Sequence, residues 1–404
     1  MSIRLRRILG TMALAAVAGG YGVAVWLLVE TTVPSGLDLP KVNVGTAFPA
    51  SAVDRARDYA RVERLLFVGG LITVVVVLGL YARYGARLTR ESAAGRIGTG
   101  MLLAMLGLGI LWLAQVPFGL VDLWWQRRHG LSKVGYLEWI VENWLGLGGE
   151  FLFISFAILI VMALAGFLGD RWWILGGPAF VGLVALFAFV LPYLTPGLSP
   201  ARPALKAEAR QLARTEGTDP VRVDVQDVDA ETTAPNAEAM GLGPTRRVVL
   251  WNTLVDGRFT AKQVRVVLAH EVGHLARSHV AKSIAWYALF ALPGAFLIAW
   301  LTRRRGGMRE PAAVPLGLFL FVVLGLLALP LQNIVTRRLE AEADWQALQA
   351  TRDPEAAEGL FRRLTTTALS DPSPPTWEYL ITSSHPTLAQ RVAMAKAWAE
   401  RSGP

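Results

Sequence analysis

Residues 151–194 read FLFISFAILIVMALAGFLGDRWWILGGPAFVGLVALFAFVLPYL, and this stretch decides the class of fold. It contains two apolar blocks, each close to the length of about 20 residues that crosses the hydrocarbon core of a bilayer. Only Gly169, Asp170 and Arg171 separate the blocks, and this connection is too short to enclose a domain. We therefore predict a tight hairpin of two membrane-spanning helices.

Similar apolar blocks recur along the chain. Together with the two above, they predict seven membrane spans, at residues 8–29, 65–82, 101–121, 151–168, 172–194, 284–301 and 314–331. The first block is long for the apolar region of a signal peptide and no small-x-small cleavage site ends it, so we expect it to be retained. The sequence thus predicts a multi-pass protein of the cell membrane, with the lipid bilayer as a partner.

The composition agrees with this prediction and narrows the chemistry. Apolar residues make up 53% of the chain and charged residues 18%, which argues against a wholly water-soluble protein. The absence of cysteine excludes disulfides, thiolate ligands and cysteine nucleophiles, and leaves His, Asp and Glu for metal chemistry. The net charge of +9 comes mostly from arginines in short loops beside the apolar blocks, so we expect no nucleic-acid partner. The excess of arginine over lysine is typical of a GC-rich bacterial genome.

Two long polar stretches, residues 196–283 and 332–404, lie outside the spans, and we expect any site to combine both. In the first stretch, the pattern of apolar residues predicts an amphipathic helix over 204–214 and strands over 221–225 and 248–251. These short elements indicate a small α+β part attached to the membrane helices.

A further helix in the first polar stretch carries an H-E-x-x-H motif. Thr260 and Gln263 form a capping box that predicts the start of this helix. His270 and His274 are four residues apart and share one helical face, so both imidazoles can bind one zinc ion. Glu271 can approach the open coordination position and act as a general base. The spacing therefore predicts a metallopeptidase site with two ligands and one base.

A catalytic zinc site needs a third protein ligand. Glu340 is the leading candidate, because it follows the last span on a predicted helix with Asp344 four residues later to hold a ligand histidine. Glu342 points about 200° around the helix from Glu340 and is the weaker alternative. His279 falls one position before the third histidine of the metzincin pattern, and we expect it further along the same helix, pointing away from the metal.

Three motifs occur in a fixed order along the chain: His270-Glu271-x-x-His274, Thr336-Arg337-x-x-Glu340-x-x-Ala343-Asp344 and Ser384-His385-Pro386-Thr387-Leu388-x-x-Arg391. In this order they resemble the integral-membrane zinc metallopeptidases of the CAAX prenyl protease 1 (type I) family, which are gluzincins. Further similar segments are Pro235-Asn236-Ala237 before Gly241, Asn252-Thr253-Leu254, where Asn replaces the family's Asp, and the loop from Arg127 to Ser132.

The resemblance implies a mainly α fold, in which seven transmembrane helices surround a chamber and a zincin-like α+β metallopeptidase domain closes one end of the bundle. Residues 1–195 would form the amino-terminal membrane region with five spans. Residues 196–283 would form the first part of the metallopeptidase domain and residues 332–404 the second part. Residues 284–331 would supply two further spans between them.

The resemblance also implies roles for residues of the three motifs. One Zn²⁺ is expected to be held by the two motif histidines and Glu340. Asn236 and Ala237 are expected to lie where an extended substrate adds to the edge of a sheet. His385 and Arg391 are expected to face the metal, where they donate hydrogen bonds to the oxyanion of the tetrahedral intermediate.

We therefore expect a zinc metalloendopeptidase that cleaves a peptide or protein substrate, membrane-associated or lipidated, with Glu271 as the base. A heat-shock-type membrane quality-control metalloprotease is one alternative. A non-catalytic zinc-binding membrane sensor or scaffold is another, although Glu271 argues against it because a structural zinc site needs no base. A transporter is disfavoured because the spans lack charges at the bilayer midplane.

Overall fold

The computed structural model describes residues 15, 18–27, 29–91 and 94–402. Six helices among these residues are long and apolar enough to cross a membrane. They are α3 (Ala50–Tyr84), α4 (Gly95–Arg128), α5 (Tyr136–Leu168), α6 (Trp173–Leu194), α9 (His279–Thr302) and α10 (Val314–Thr351). Each contains one of the last six predicted spans, which confirms a multi-pass membrane protein.

The first predicted span, at residues 8–29, lies partly outside the described residues. Its described part forms the apolar helix α1 (Ala18–Leu27), which is too short to count as a span by itself. A short helix, α2 (Val44–Ala47), follows before α3.

The membrane helices expose large apolar side chains on their outer surface. Leu65, Phe167 and Leu327 are 69%, 89% and 71% exposed. A water-soluble protein would bury such residues, whereas the hydrocarbon core of a bilayer covers them without cost. Helices satisfy all backbone hydrogen bonds internally, which is why the apolar stretches adopt this conformation.

The connection between α5 and α6 is a tight hairpin, as its length predicts. Gly169–Arg171 forms one turn of 3₁₀ helix, and Gly169 ends α5 with a φ of 57°, a value that a residue with a side chain rarely adopts. Asp170 in this turn forms an ion pair with Arg303, and its Oδ2 lies 3.1 Å from Arg303 Nε. The hairpin is thus tied to the end of α9.

A four-stranded sheet forms the centre of the polar part. Its strands are β1 (Leu198–Pro200), β2 (Arg222–Gln226), β3 (Ala237–Met240) and β4 (Arg247–Trp251), arranged in the order β1-β2-β4-β3. The pair β2–β4 is parallel, and the pairs β1–β2 and β3–β4 are antiparallel. Strand β3 therefore lies at one edge of the sheet.

Helices from both polar stretches pack around this sheet. They are α7 (Pro203–Thr215), α8 (Ala261–Ala276), α11 (Pro354–Thr367), α12 (Thr376–Ile381) and α13 (Leu388–Ser402). One hydrophobic core contains Leu212, Val248, Leu268, Trp345 and Val392, all at most 4% exposed. Residues before and after the α9–α10 pair thus complete a single α+β unit.

The α4–α5 loop joins the membrane region to the polar part. The amide of Lys133 donates to the carbonyl of Glu231 at 2.8 Å, and that of Thr233 donates to the carbonyl of Leu131 at 3.0 Å. This loop is the segment from Arg127 to Ser132 that resembles the family's amino-terminal region. It forms a short β-like bridge, at Ser132, with the chain that leads into β3.

Candidate metal centre

Helix α8 is held in place by its own sequence. The Thr260 hydroxyl accepts from the Gln263 amide at 3.2 Å, and the Gln263 side chain accepts from the Thr260 amide at 3.0 Å, as the capping box predicts. Leu268, Ala269 and Val272 have no exposed surface and pack into the core. The remaining face of the helix, which carries both motif histidines, is directed at α10.

A glycine allows α8 and α10 to approach closely. A Cβ at Gly273 would lie 3.2 Å from Cβ of Gln346 and 3.7 Å from Cα of Ala343. The first distance is shorter than ordinary van der Waals separation and the second is an ordinary contact, so a side chain larger than alanine would push the two helices apart. The close approach brings the acids of α10 to the histidines of α8.

Helix α10 reaches this position because it extends well beyond the membrane. Its 38 residues span about 57 Å at 1.5 Å per residue, compared with a hydrocarbon core of about 30 Å. The first half is apolar, and the second half carries Arg337, Glu340, Glu342 and Asp344, all at most 8% exposed. One continuous helix thus connects the bilayer to the centre.

Three candidate ligand atoms converge between the two helices. His270 Nε2 lies 3.0 Å from His274 Nε2 and 3.2 Å from Glu340 Oε2, and His274 Nε2 lies 3.5 Å from Glu340 Oε1. Ligands about 2.0 to 2.1 Å from a tetrahedral metal are necessarily about 3.3 Å apart. Both the spacing and the donor set of two imidazoles and one carboxylate therefore fit a divalent ion such as zinc.

Asp344 contacts the ring nitrogen of His270 that faces away from the candidate metal position. His270 Nδ1 lies 2.9 Å from Asp344 Oδ1, so it donates its proton there while Nε2 remains free for the metal. Arg391 donates to both oxygens of Asp344, from Nε at 2.8 Å and from Nη2 at 2.6 Å. The resemblance predicts Arg391 at the metal, whereas its guanidinium lies behind His270. This engagement of the guanidinium favours a positioning role for Arg391.

His279 does not continue the motif helix, and the expectation that it points away from the site is wrong. Helix α8 ends at Ala276, Ser278 adopts a left-handed φ of 56°, and α9 begins at His279. The chain reversal directs the imidazole back, so that His279 Nδ1 lies 2.9 Å from His274 Nδ1. Glu342, the weaker candidate ligand, contacts His279 Nε2 at 3.1 Å and not the ligand triangle.

His385 reaches the centre from a loop. Its Nε2 lies 3.1 Å from Glu340 Oε2, and its Nδ1 lies 2.9 Å from the hydroxyl of Ser384. The side chain is 54% exposed, in contrast to the buried histidines of α8 and α9. It therefore borders the open side of the centre.

Arg337 fixes that loop, and its role was not apparent from the sequence. It donates from Nη1 to the carbonyls of Tyr379 at 2.7 Å and Ser383 at 2.8 Å, and its guanidinium lies 4.4 Å from the Tyr379 ring centroid. The Asn333 amide donates to the carbonyl of Ile381. Arg337 belongs to the second of the three motifs, and Asn333 lies four residues before it. The spacing of the motif residues gives no sign of these long-range contacts.

The edge strand β3 lies close to Glu271. The carbonyl of Asn236 accepts from the Trp251 amide at 3.0 Å, and Ala237 pairs with Leu250, so these two residues join β3 to β4. Burial raises the pKa of Glu238, and the negative charge of nearby Glu271 raises it further. Within the part of the chain that the structure describes, no strand covers the outer edge of β3.

Glu216, at the end of α7, is a buried carboxyl beside α8. Both of its oxygens are buried without a hydrogen-bond partner, and Oε2 lies 3.3 Å from the position of a Cβ on Gly273. Burial raises the pKa of Glu216 to about 8. The sequence marks it only as the residue before a helix-ending glycine.

The chain is similar to several known proteases. Residues 201–399 match the family described as Peptidase family M48. The uncharacterized metalloprotease YhfN of Bacillus subtilis (strain 168) is 24% identical over 388 residues, which are 91% of each chain. A protease HtpX homolog of Kineococcus radiotolerans is 32% identical over 165 residues, which are 39% of this chain and 55% of that protein.

The fold has a counterpart among solved structures. The crystal structure of S. mikatae Ste24p matches with a TM-score of 0.70 at 17% identity, and the match covers 98% of this chain and 100% of that chain. This similarity confirms the mainly α membrane fold. The metallopeptidase part is supported by the match of residues 201–399 to Peptidase family M48.

Proposed function

We propose that this chain, a membrane metalloendopeptidase with the fold of Ste24p, cleaves peptide bonds with one zinc ion held by His270, His274 and Glu340. The observation that carries the proposal is the ligand triangle, in which the two Nε2 atoms lie 3.0 Å apart and each lies 3.2 to 3.5 Å from an oxygen of the Glu340 carboxylate. Two imidazole nitrogens this close to each other and to a carboxylate need a proton or a cation between them, and a metal ion would satisfy all three groups at once. The buried position of the three groups favours an ion with a fixed coordination geometry.

The chemistry follows from the residues around this triangle. A zinc ion bound there would supply the Lewis acidity that makes water acidic enough to lose a proton near neutral pH. The Glu271 carboxylate accepts that proton as the water oxygen forms a bond with the carbonyl carbon of the substrate. The carbon–nitrogen bond then breaks, and Glu271 returns the proton to the leaving amine nitrogen. Proton and bond changes therefore balance without a further reactant.

Three further residues support this step. His385 borders the open side, and its Nε2, which contacts Glu340 Oε2 at 3.1 Å in the structure, would leave that contact to donate to the oxyanion that develops on the substrate. Asp344 fixes the proton of His270 on Nδ1, and Arg391 holds Asp344 through two hydrogen bonds. Arg391 thus acts through Asp344 as a positioning residue in this proposal.

The substrate is proposed to bind as an extended strand on β3. The outer edge at Asn236 and Ala237 offers backbone groups for strand addition, a mode that tolerates many side chains. The proximity of Glu238 to Glu271 supports this position, because a strand on that edge would pass the base. A backbone-based contact agrees with a protease that accepts more than one sequence.

A membrane-associated or lipidated substrate fits the surroundings of the centre. An apolar cavity of about 460 Å³ lies between α5, α6, α9 and α10 and includes Phe153, Phe180 and Gln332. Gln332 lies eight residues before Glu340, which is about 12 Å along the helix axis. An apolar segment or lipid chain in this cavity would therefore sit within reach of the cleavage site.

The decisive experiment uses Glu271→Gln in the full-length protein. We expect this variant to bind zinc at the wild-type stoichiometry and to lose cleavage by a factor of about 10² to 10⁴, because the base is absent while the ligands remain. Comparison of membrane peptides that accumulate in cells carrying this variant with those in wild-type cells would identify substrates. Wild-type activity in the variant would contradict the mechanism.

The ligand set has its own test. Glu340→Ala should lose zinc, whereas Glu342→Ala should retain an equimolar ion, because only Glu340 reaches the triangle. Metal content of the purified proteins measures both. Full zinc content in the first variant would require a different third ligand.

A quality-control protease of the heat-shock membrane type is the second candidate. The identity with the HtpX homolog supports it, although that similarity covers only part of this chain. A zinc-binding sensor or scaffold would instead bind the ion and cleave no peptide. The comparison of accumulated peptides separates these possibilities, since a quality-control enzyme would spare intact membrane proteins and cut misfolded ones.

A further inference from the structure

The second ligand histidine has an outer partner that its motif does not contain. His274 directs Nε2 at the ligand triangle and Nδ1 at His279, whose own Nδ1 lies 2.9 Å away. The other ring nitrogen of His279 lies 3.1 Å from Glu342 Oε2. His279 and Glu342 are 3% and 1% exposed, so water does not compete for these contacts.

The protons of this chain of contacts can be assigned. A metal ligand must present a lone pair on Nε2, so neutral His274 carries its proton on Nδ1. Nδ1 of His279 must accept that proton, since two N–H groups facing each other at 2.9 Å would repel. The proton of His279 then lies on Nε2 and is donated to Glu342. Each ring nitrogen of His274 and His279 is thus assigned as a metal ligand, a hydrogen-bond donor or a hydrogen-bond acceptor.

We propose that His279, held by Glu342, is a positioning residue that fixes the tautomer and ring orientation of His274, as Asp344 does for His270. The inference rests on the zinc site of the proposed function, and it assigns a role to the two residues that the ligand triangle leaves out. Two acids of α10, two residues apart, would thus hold the two imidazoles of α8 by separate routes.

The break between α8 and α9 makes this contact possible. In a continuous helix, five residues correspond to about 500°, so His279 would point about 140° away from His274. The left-handed conformation of Ser278 interrupts the helix, and His279 is the first residue of α9, which runs in a new direction. A left-handed serine is uncommon, which indicates that the surrounding contacts hold this turn in place.

Glu342 is itself fixed by several groups. Its Oε1 accepts from Arg277 Nε at 3.0 Å and from the Thr32 amide at 2.9 Å, and Lys282 Nζ lies 3.9 Å from Oε2. Two cations and a backbone donor therefore hold the carboxylate in one orientation. Because that orientation is fixed, Glu342 in turn fixes the ring of His279.

The test measures the affinity for zinc and the cobalt spectrum as well as activity. In His279→Phe we expect zinc to bind about 10- to 100-fold more weakly in competition with a chelator, since outer partners of ligand histidines have effects of this size. The d–d absorption bands of the Co²⁺-substituted protein should shift, because the His274 ring is no longer held. His279→Asn keeps an acceptor at the Nδ1 position and should recover part of the affinity.

Two further variants separate a local effect from a loss of folding. Glu342→Gln retains the shape of the side chain and should weaken zinc binding in the same direction. His129→Phe removes a histidine of the α4–α5 loop that meets Tyr59 and Trp125 edge-on and whose Nδ1 lies 2.9 Å from the Trp125 carbonyl, and it should leave affinity and spectrum unchanged. If His279→Phe and Glu342→Gln both keep the wild-type zinc affinity and cobalt spectrum, the inference is wrong. If affinity falls but the wild-type protein cleaves no peptide, the inference stands and the proposed function fails.

Discussion

Single residues at the centre show two ways of holding a ligand imidazole. His270 donates to a carboxylate that an arginine also binds, so its outer partner is charged. His274 contacts a neutral imidazole, and the charge is one residue further away, on Glu342. The proposed base, Glu271, lies between the two candidate ligands on α8, so both sets of contacts contribute to its position.

A buried carboxyl near this helix predicts a pH dependence of stability. The folded-state pKa of Glu216 is raised to about 8 by burial, whereas an unfolded glutamate has a pKa near 4.5. Between these values the folded protein binds more protons than the unfolded protein, so stability decreases as the pH rises. We expect Glu216→Gln to increase the free energy of unfolding near pH 8 by about 1 to 2 kcal/mol.

Thermal unfolding followed by tryptophan fluorescence measures this effect between pH 5 and pH 8.5. The gain should be small at pH 5, because this pH lies only about half a unit above the pKa of an unfolded glutamate, and it should grow as the pH rises toward the folded-state pKa. Glu400→Gln, at an exposed position of α13, is the matched control and should change stability little at either pH. An equal effect of Glu216→Gln at both ends of the range would contradict the assigned pKa.

At the level of secondary-structure elements, short sequence patterns predicted the features that depend only on neighbouring residues. The capping box at Thr260 predicted the start of α8, and the length of the apolar blocks predicted six described helices. Strands β1 and β3 gave no periodic signal because Leu198–Pro200 and Ala237–Met240 have only three and four residues, and only the family resemblance placed a sheet edge at Asn236 and Ala237. The end of α8 was missed because neither glycine nor proline marks the break at Ser278.

The loop that carries His385 depends on a side chain of α10. Arg337→Met removes the hydrogen bonds to the carbonyls of Tyr379 and Ser383 while preserving most of the side-chain volume. We expect kcat to fall about 10- to 100-fold, since a displacement of about 1 Å at a catalytic group has effects of this size. Zinc content should remain unchanged, because Arg337 contacts no candidate ligand.

Steady-state kinetics and metal analysis of the purified variant test this prediction. Arg338→Met is the matched control, since this neighbouring guanidinium donates to neither loop carbonyl, and it should retain most of the activity. Loss of zinc in Arg337→Met would indicate that the arginine supports α10 itself and not the loop.

For the whole molecule, the centre joins two helices that belong to different parts of the chain. A bound ion stabilises the folded state by RT ln(1 + [metal]/Kd), which is about 2.7 kcal/mol at a free concentration 100 times the Kd. Chelation should therefore lower the melting temperature by several degrees, and zinc should restore it. The helix content by circular dichroism should not change, because the hydrophobic core is independent of the ion.

Differential scanning fluorimetry with and without a chelator provides the measurement. The Glu340→Ala variant is the control, since it lacks a ligand and its melting temperature should not respond to added zinc. Equal responses of this variant and the wild type would place the stabilising ion elsewhere.

Much of the overall plan could be predicted because membrane spans are read from apolar length alone. The site could not be predicted from apolar length, since His270 and Glu340 are 70 residues apart and only the packing of α8 on α10 brings them together. The H-E-x-x-H spacing identified the ligands of one helix. The contacts of His279, Arg337 and Glu216 depend on tertiary packing that no spacing encodes.

The order of the parts along the chain has a consequence for biosynthesis. A polypeptide leaving the ribosome exposes both imidazoles and the base before it contains the carboxylate of α10. That carboxylate emerges only after the last two apolar segments have been synthesised and delivered to the bilayer. If Glu340 is the third ligand, the growing chain therefore cannot complete its ion site until the apolar segments that precede this residue have been made.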